Sequence, residues 1–210
     1  MGQTPRLDLS TRWGRWSAYL RLYLKDHGFL RVPWTHMHEI APGAWRSNQP
    51  SPRRLARLKA RGIRSILVLR GATHKAPVLL EAEACEALGL KLDAVGIGGG
   101  ALAPRERLLE LLDTFREIER PFVMHCKSGI DRTGFASFLY LLAETDADPE
   151  IARRQLSFDY LHLKSSRHGI LDLMADTYLA DWRETGIGIR DWIATRYDPE
   201  ALTREWQADA

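Results

Sequence analysis

The sequence has 210 residues, of which 45% are hydrophobic and 27% charged, and its formal net charge is +3 at pH 7. This balance is that of a soluble globular chain, and it excludes a disordered protein or one built of membrane spans. The mild positive charge suits an anionic substrate but does not indicate nucleic-acid binding, so no nucleic-acid partner is predicted. No apolar run approaches the length of about 18 residues that a transmembrane segment needs.

The chain begins with a predicted amphipathic helix over residues 11–26. Apolar side chains recur there at three- and four-residue steps, at Trp13, Trp16, Leu20 and Tyr23. We interpret this stripe as the face that packs on the core, with contact with a membrane surface as the alternative. We therefore predict an N-terminal helical extension over residues 1–30 and a single domain over residues 31–210.

Strands and helices then alternate along the chain. Extended segments lie near residues 37–40 and 44–46, strands are predicted at 63–69, 90–95 and 122–125, and helices at 51–60, 77–88, 104–119, 132–144 and 170–182. The basic residues near the first of these helices, Arg54 among them, are interpreted as a solvated face, with attraction of an anionic substrate as the alternative. This order predicts an α/β fold with a mainly parallel central sheet of about four or five strands, flanked by helices, and with a helical C-terminal part.

The chain contains only two cysteines, Cys85 and Cys126, which make no disulfide framework and favour a cytoplasmic location. Cys85 lies at helical spacing from Val78 and Ala82 and is interpreted as a small buried hydrophobe. A reversible disulfide between Cys85 and Cys126 remains an alternative.

The segment with a chemical signature runs from Val123 to Gly134, where a buried strand ends at a cysteine and a helix begins at an arginine. Ligands of open α/β sheets bind at this carboxyl edge. Five residues separate Cys126 from Arg132, enough for a loop whose backbone N–H groups surround one tetrahedral anion. The predicted phosphate-binding residues are Lys127, Ser128, Gly129, Ile130, Asp131 and Arg132.

These residue types also suit covalent catalysis. The N-terminal end of the following helix adds a positive field that favours the thiolate of Cys126, the predicted nucleophile. The planar guanidinium of Arg132 can bind two phosphate oxygens, and Thr133 can donate to the sulfur when it leaves the phosphocysteine. We expect His125 to order the loop through hydrogen bonds, because a thiolate needs no base.

The run from His125 to Gly134 resembles the His-Cys-x5-Arg-[Ser/Thr]-Gly signature of the protein tyrosine phosphatase superfamily, especially its bacterial dual-specificity-like members. The Arg46-Ser47-Asn48-Gln49-Pro50 segment is similar to a second motif of that superfamily, and Leu69-Arg70-Gly71 to the strand end that follows it. The resemblance covers roughly residues 37–145 and extends more loosely to about residue 200. It implies hydrolysis of phosphate monoesters through a phosphocysteine, with no metal and no cofactor.

One part of the resemblance is missing, since the loop at residues 96–103 lacks the general-acid aspartate that most members carry. General acid catalysis contributes typically ~10²–10⁴ in rate, so another group must serve. We predict Asp131 for this role, because several lipid- and inositide-directed branches end this loop in Asp-Arg-Thr. Asp93 and Glu106 are alternatives, and Asp131 could instead pair with a nearby cation.

Several other side chains are candidates with weaker support. His36 and His38 alternate on an extended segment, but a third metal ligand is not evident and no metal is predicted. Arg70 ends a strand on the same sheet edge as Cys126 and is a possible substrate contact. Tyr160, His162 and Lys164 follow the helical core and could line the pocket.

The sequence thus predicts a phosphatase acting on phosphotyrosine or phosphoserine proteins or on lipid or inositol phosphates, with a slight preference for non-protein substrates. The alternatives are a catalytically silent module that binds phosphorylated partners and a sulfurtransferase of the rhodanese type.

Overall fold

The computed structural model describes residues 11–20, 34–71, 76–98 and 100–208. These residues contain a five-stranded sheet in the order β1-β2-β5-β3-β4. Its strands are β1 His38–Ala41, β2 Ala44–Ser47, β3 Ser65–Val68, β4 Lys91–Ala94 and β5 Phe122–His125. Strands β1 and β2 form an antiparallel hairpin, whereas β2, β5, β3 and β4 run parallel to one another. The predicted α/β class and strand number are confirmed.

The helices follow in the predicted alternation. They are α1 Arg12–Leu20, α2 Pro52–Ala60, α3 Ala76–Leu88, α4 Arg105–Glu117, α5 Asp131–Glu144, α6 Pro149–Arg153, α7 Ile170–Thr185, α8 Ile189–Thr195 and α9 Pro199–Ala208. Ser51 caps α2 by accepting from the Arg54 N–H, with Pro52 in the first turn. In the described ranges, no helix is long and apolar enough to cross a bilayer.

The two central strands bury side chains on both faces of the sheet. In β5, Phe122 and Met124 join the larger core cluster with α4, α5 and α7, while Val123 joins the smaller cluster with α2 and α3. Successive residues of a strand point to opposite faces, so two helical layers enclose the sheet. Strands β3 and β5 are buried throughout. A ligand can therefore reach these central strands at their ends, not across their faces.

The N-terminal helix packs differently from the prediction. Trp13 and Trp16 stack on each other with their rings 5.2 Å apart, yet they are 74% and 56% exposed. The buried residue of α1 is Ala18, which packs against Ala76 and Leu80 of α3. The tryptophan stripe therefore does not form the buried face, and residues 21–26 of the predicted helix lie outside the described residues.

Candidate active site

The loop of residues 126–131 connects the end of β5 to the start of α5 and lies at the carboxyl edge of the parallel strands. Cys126 follows β5 directly and is 2% exposed. Since β5 lies between β2 and β3, the ends of both neighbouring strands flank the cysteine. Asp131 is the first residue of α5, so the helix N-terminus begins where the loop ends.

The carbonyl groups on the far side of this loop are bound by a buried arginine from β2. Arg46 Nη2 donates to the carbonyl oxygens of Gly129, at 2.9 Å, and of Ile130, at 3.2 Å. Its Nη1 donates to the Gln155 side chain at 2.7 Å, and its guanidinium lies 4.0 Å from the centre of the Tyr160 ring. Burial lowers the pKa of Arg46 to about 10, so the group stays charged at neutral pH.

Two further carbonyl groups of the loop are also bound from outside it. The Cys126 carbonyl accepts from His125 Nδ1 at 2.9 Å, and the Lys127 carbonyl accepts from the backbone N–H of Gln49 at 3.3 Å. In a planar trans peptide the N–H points opposite to the preceding carbonyl. The N–H groups that follow these four bound carbonyls therefore point away from the protein partners, as an anion-binding loop requires. They belong to Lys127, Ser128, Ile130 and Asp131.

Gly129 allows this loop to press against the end of β2. Its φ of +77° is in the left-handed region, and a Cβ at this position would lie 2.6 Å from the Ser47 carbonyl carbon and 2.7 Å from the Asn48 nitrogen. Both atoms are backbone and have little freedom to move. The glycine predicted to permit the turn thus also permits a close approach between loop and strand.

A buried polar set from three elements lies behind the cysteine. His125 Nε2 is 2.7 Å from Glu81 Oε1 of α3, and both side chains are at most 1% exposed. This contact is not aligned as a hydrogen bond. Glu81 Oε2 accepts from Gln49 Nε2 at 2.8 Å, and Gln49 Oε1 in turn accepts from Arg70. His125 is therefore hydrogen-bonded through Nδ1 and lies against Glu81 through Nε2, and Arg70 is connected to the same set through Gln49.

Arg132 and Thr133 occupy the first turn of α5. Arg132 is half-buried, and no described residue bonds to its guanidinium. Thr133 is fully buried, and its hydroxyl has no hydrogen-bond partner among the described residues. Buried polar groups are normally paired, so this hydroxyl is a candidate donor to a group bound in the loop.

Asp131 forms an ion pair with a residue that follows the short helix α6. Its Oδ1 lies 2.9 Å from His162 Nδ1, and its Oδ2 lies 3.6 Å from His168 Nδ1. Burial alone would raise the pKa of Asp131, but the His162 hydrogen bond and the charges of both histidines hold that pKa below its ordinary value. The structure therefore contains the cation pairing considered as an alternative, and an acid role for Asp131 requires a source of protons.

The two rival acids are less closely connected to the loop. Asp93 lies within β4, two strands from β5, at the level of Leu67 and Met124. Glu106 is exposed in the first turn of α4. Neither side chain has a described contact with the loop of residues 126–131.

The remaining candidates have contacts of their own. His36 forms a backbone hydrogen bond with Ser128, and burial, followed by the charge of Arg46, lowers the pKa of His36 to about 4. Within the described parts of the chain, no group of three histidine, cysteine or acidic side chains has the arrangement of metal ligands. Lys164 pairs with Asp176 at 3.0 Å. Cys85 is a buried free thiol whose pKa is raised to about 12 by burial and by Glu81.

Three residues that support this loop are Arg46, Glu81 and His162. The sequence patterns assign no role to the first two and predict His162 only as a residue that could line the pocket. Arg46 was noticed only as part of a motif, and that motif was the one available signal for it. Glu81 and His162 lie 45 and 36 residues from Cys126 along the chain, and no local pattern links them to it.

Known proteins resemble this chain in two respects, in the sequence of residues 100–192 and in the overall fold. Residues 100–192 match the sequence model of the tyrosine phosphatase family. The core catalytic domain of the PP-IP phosphatase SIW14 from S. cerevisiae superposes with a TM-score of 0.55 and 19% identity, covering 74% of this chain and 94% of that one. TpbA from P. aeruginosa, solved with pTyr, gives a TM-score of 0.52 and 16% identity, covering 86% of this chain and 99% of that one. A search of curated proteins finds no match.

At these identities the two structures establish a shared fold. The sequence match covers the segment that contains the cysteine loop, α5 and the elements up to α8. The supporting residues Arg46 of β2, Gln49 and Glu81 of α3 lie outside it.

Proposed function

We propose that this chain is a phosphatase that acts through a phosphocysteine formed on Cys126, and the match of residues 100–192 to the tyrosine phosphatase family model supports this proposal. In the first step the sulfur attacks phosphorus, and the bond from phosphorus to the leaving oxygen breaks. In the second step water attacks the phosphocysteine, and the S–P bond breaks to release inorganic phosphate.

The observation that carries this proposal is the outward binding of four loop carbonyls. Arg46, His125 and Gln49 bind the carbonyls of residues 126, 127, 129 and 130, so the following N–H groups point away from these partners and are left to bind an anion. Preorganised donors of this kind stabilise the charge of a transferring phosphoryl group. The guanidinium of Arg132 is available to bind two of its oxygens.

Roles for the other loop residues follow from their placement. Thr133 is suited to donate to the sulfur as the phosphocysteine breaks down, because its buried hydroxyl has no partner among the described residues. Asp131 is the proposed proton donor to the leaving oxygen. His125 is assigned the ordering of the Cys126 peptide group, through the hydrogen bond to its carbonyl.

Two substrate classes are proposed, phosphorylated proteins and lipid or inositol phosphates. TpbA was solved with pTyr, and SIW14 is described as a PP-IP phosphatase, so neighbours with this fold are associated with both classes. A cytoplasmic location is proposed with either class. The substrate is tested by comparing turnover of phosphotyrosine peptides with that of soluble inositol phosphates and of phosphoinositides in vesicles.

The mechanism is tested with an aryl phosphate, acid quenching and the Cys126→Ser variant. The wild type should release phenolate and leave an acid-stable protein-bound phosphate that maps to Cys126. Cys126→Ser should still bind inorganic phosphate but release no phenolate, while the Cys85→Ser control should keep its turnover. Turnover that survives Cys126→Ser would refute the mechanism, and a wild type that binds phosphate without turnover would favour the silent binding module.

A further inference from the structure

His162 lies between two carboxylates, one in the phosphate loop and one on α7. Its Nδ1 is 2.9 Å from Asp131 Oδ1, and its Nε2 is 2.7 Å from Asp172 Oδ2. The imidazole side chain is 1% exposed, and Asp172 is 2% exposed. A buried imidazole with a carboxylate at each nitrogen is held in one orientation.

Both ring nitrogens of His162 carry hydrogen in this arrangement. An ionised carboxylate only accepts hydrogen bonds, so each nitrogen must donate and the ring is an imidazolium. Burial alone would lower the pKa of His162, but the hydrogen bonds to Asp131 and Asp172 raise it to about 9. At neutral pH the proton therefore rests on His162, and Asp131 is a carboxylate.

The charged groups around this pair are largely neutralised by one another. Asp172 also accepts from Arg153 Nη2 of α6 at 2.7 Å, so its charge is shared between two cations. Arg153 Nε donates to Asp176 at 2.7 Å. His168 faces the second oxygen of Asp131 at 3.6 Å. The counter-ion that remains to His162 is thus mainly Asp131, the loop residue next to Arg132.

We propose that His162 is the positioning residue that supplies Asp131 with the proton it donates to the leaving oxygen. The inference rests on the proposed function, since it concerns the acid step of the same reaction. It resolves the difficulty that Asp131 is ionised at rest, because the proton is stored one hydrogen bond away. Asp172 and Arg153 hold the ring at the distance that this transfer needs.

The proton balance closes over the two steps of the reaction. As the bond from phosphorus to the leaving oxygen breaks, the His162 proton moves to the Asp131 carboxylate, and the resulting acid donates it to that oxygen. His162 and Asp131 are then neutral imidazole and carboxylate. When water attacks the phosphocysteine, Asp131 takes its proton and returns it to His162, so the imidazolium is restored.

The decisive variant is His162→Asn, whose amide can keep the hydrogen bond to Asp131 but has no proton to give. With phenyl phosphate, a poor leaving group, kcat/KM should fall by about 10²-fold or more, whereas dinitrophenyl phosphate should be hydrolysed almost as before. In the wild type, activity on phenyl phosphate should fall as the pH rises through the pKa of His162, about 9. In His162→Asn this alkaline limb should move to acidic pH, because Asp131 must then hold its own proton.

Two further variants separate this role from support of the fold. Asp172→Asn keeps His162 but removes one of its carboxylates, so the alkaline limb should move to lower pH than in the wild type. Asp176→Asn, at the partly exposed end of the same network, should change neither the limb nor the preference between the two substrates. Binding of inorganic phosphate, measured by calorimetry, shows whether the loop of residues 126–131 keeps its conformation in each variant.

Two results together would overturn the inference. In His162→Asn, kcat/KM would fall equally on phenyl phosphate and dinitrophenyl phosphate, and in Asp172→Asn the alkaline limb of the pH profile would stay where it is in the wild type. Failure of the underlying function would look different. In that case the wild type would have no turnover, or its turnover would persist in Cys126→Ser.

Discussion

The guanidinium of Arg46 and the carbonyl of Gly129 lie 2.9 Å apart, although 83 residues separate them along the chain. Arg46 is fully buried, and its contacts at the loop are to main-chain oxygens, so it acts there on the conformation of the backbone. This residue links the first parallel strand of the sheet to the far side of the loop of residues 126–131. The shape of the loop therefore depends on an arginine that does not belong to it.

Replacing Arg46 by Met should weaken phosphate binding and lower stability together. The carbonyls of Gly129, Ile130 and Gln155 would lose their donor, at a cost of about 1–3 kcal/mol. If this cost falls on the loop, the Kd for inorganic phosphate should rise about 10- to 100-fold in calorimetry. The control Arg64→Met removes an exposed arginine paired with Glu119 and should leave that Kd unchanged. An unaltered Kd in Arg46→Met would show that the loop keeps its shape unaided.

Replacing Gly129 by Ala should abolish phosphate binding, because the new Cβ would overlap backbone atoms of Ser47 and Asn48. The matched control is Gly62→Ala. Gly62 has a similar φ of +90°, but a Cβ there meets nothing within 4 Å. The control should lose about 1–3 kcal/mol of unfolding free energy from the backbone conformation and retain full turnover. If Gly129→Ala retained phosphate binding and turnover as Gly62→Ala should, the close contact with Ser47 and Asn48 would not be what requires glycine at position 129.

Replacing Glu81 by Ala should cost about 3 kcal/mol of unfolding free energy, because it leaves the buried Gln49 amide without its acceptor and removes the carboxylate that lies against His125. Turnover should fall with it, since His125 holds the Cys126 carbonyl. Glu83→Ala on the same helix is the control. Its pair with Arg15 is exposed and should be worth less than about 1 kcal/mol. Chemical denaturation measures both, and similar small losses would contradict the importance of the buried pair.

His36 should make the fold sensitive to acid. The pKa of His36 is about 4 in the folded protein, below the ordinary value of 6.5, so the unfolded chain binds a proton first as the pH falls. The free energy of unfolding should therefore decline from about pH 6.5 to pH 4. His36→Asn should reduce this slope, and Asn tolerates the positive φ of 44° at this position. Parallel pH profiles of the two proteins in chemical denaturation would exclude His36 as the cause.

Much of the fold could be predicted because its signals are local. The buried runs at β3 and β5 have strand composition, the Ser51-Pro52 pair marks a helix start, and their alternation implies a parallel sheet. The cysteine loop could be placed for the same reason, since the carboxyl edge of a central strand is where such sheets bind ligands. The α/β class, the helical layers and the position of Cys126 all followed from these patterns.

Other features could not be predicted, because they depend on contacts distant in sequence. Arg54 was expected on a solvated face, but it is 7% exposed and donates to Asn48 and to the carbonyl of Thr35. Periodicity also assigned the wrong buried face to α1, since it cannot tell which side of a helix a partner covers. His162 is joined to Asp131 across 31 residues, and only the folded chain brings them together.

Three supports of the loop of residues 126–131 precede residue 100, namely Arg46 of β2, Gln49 and Glu81 of α3. A fragment restricted to residues 100–192 would contain the cysteine, the arginine and α5, but none of the groups from β2, Gln49 and α3 that turn the loop carbonyls outward or hold His125 from behind. A fragment meant to keep the contacts of this loop must therefore include β2, Gln49 and α3. Domain boundaries chosen for expression by sequence similarity alone would cut through the machinery they aim to isolate.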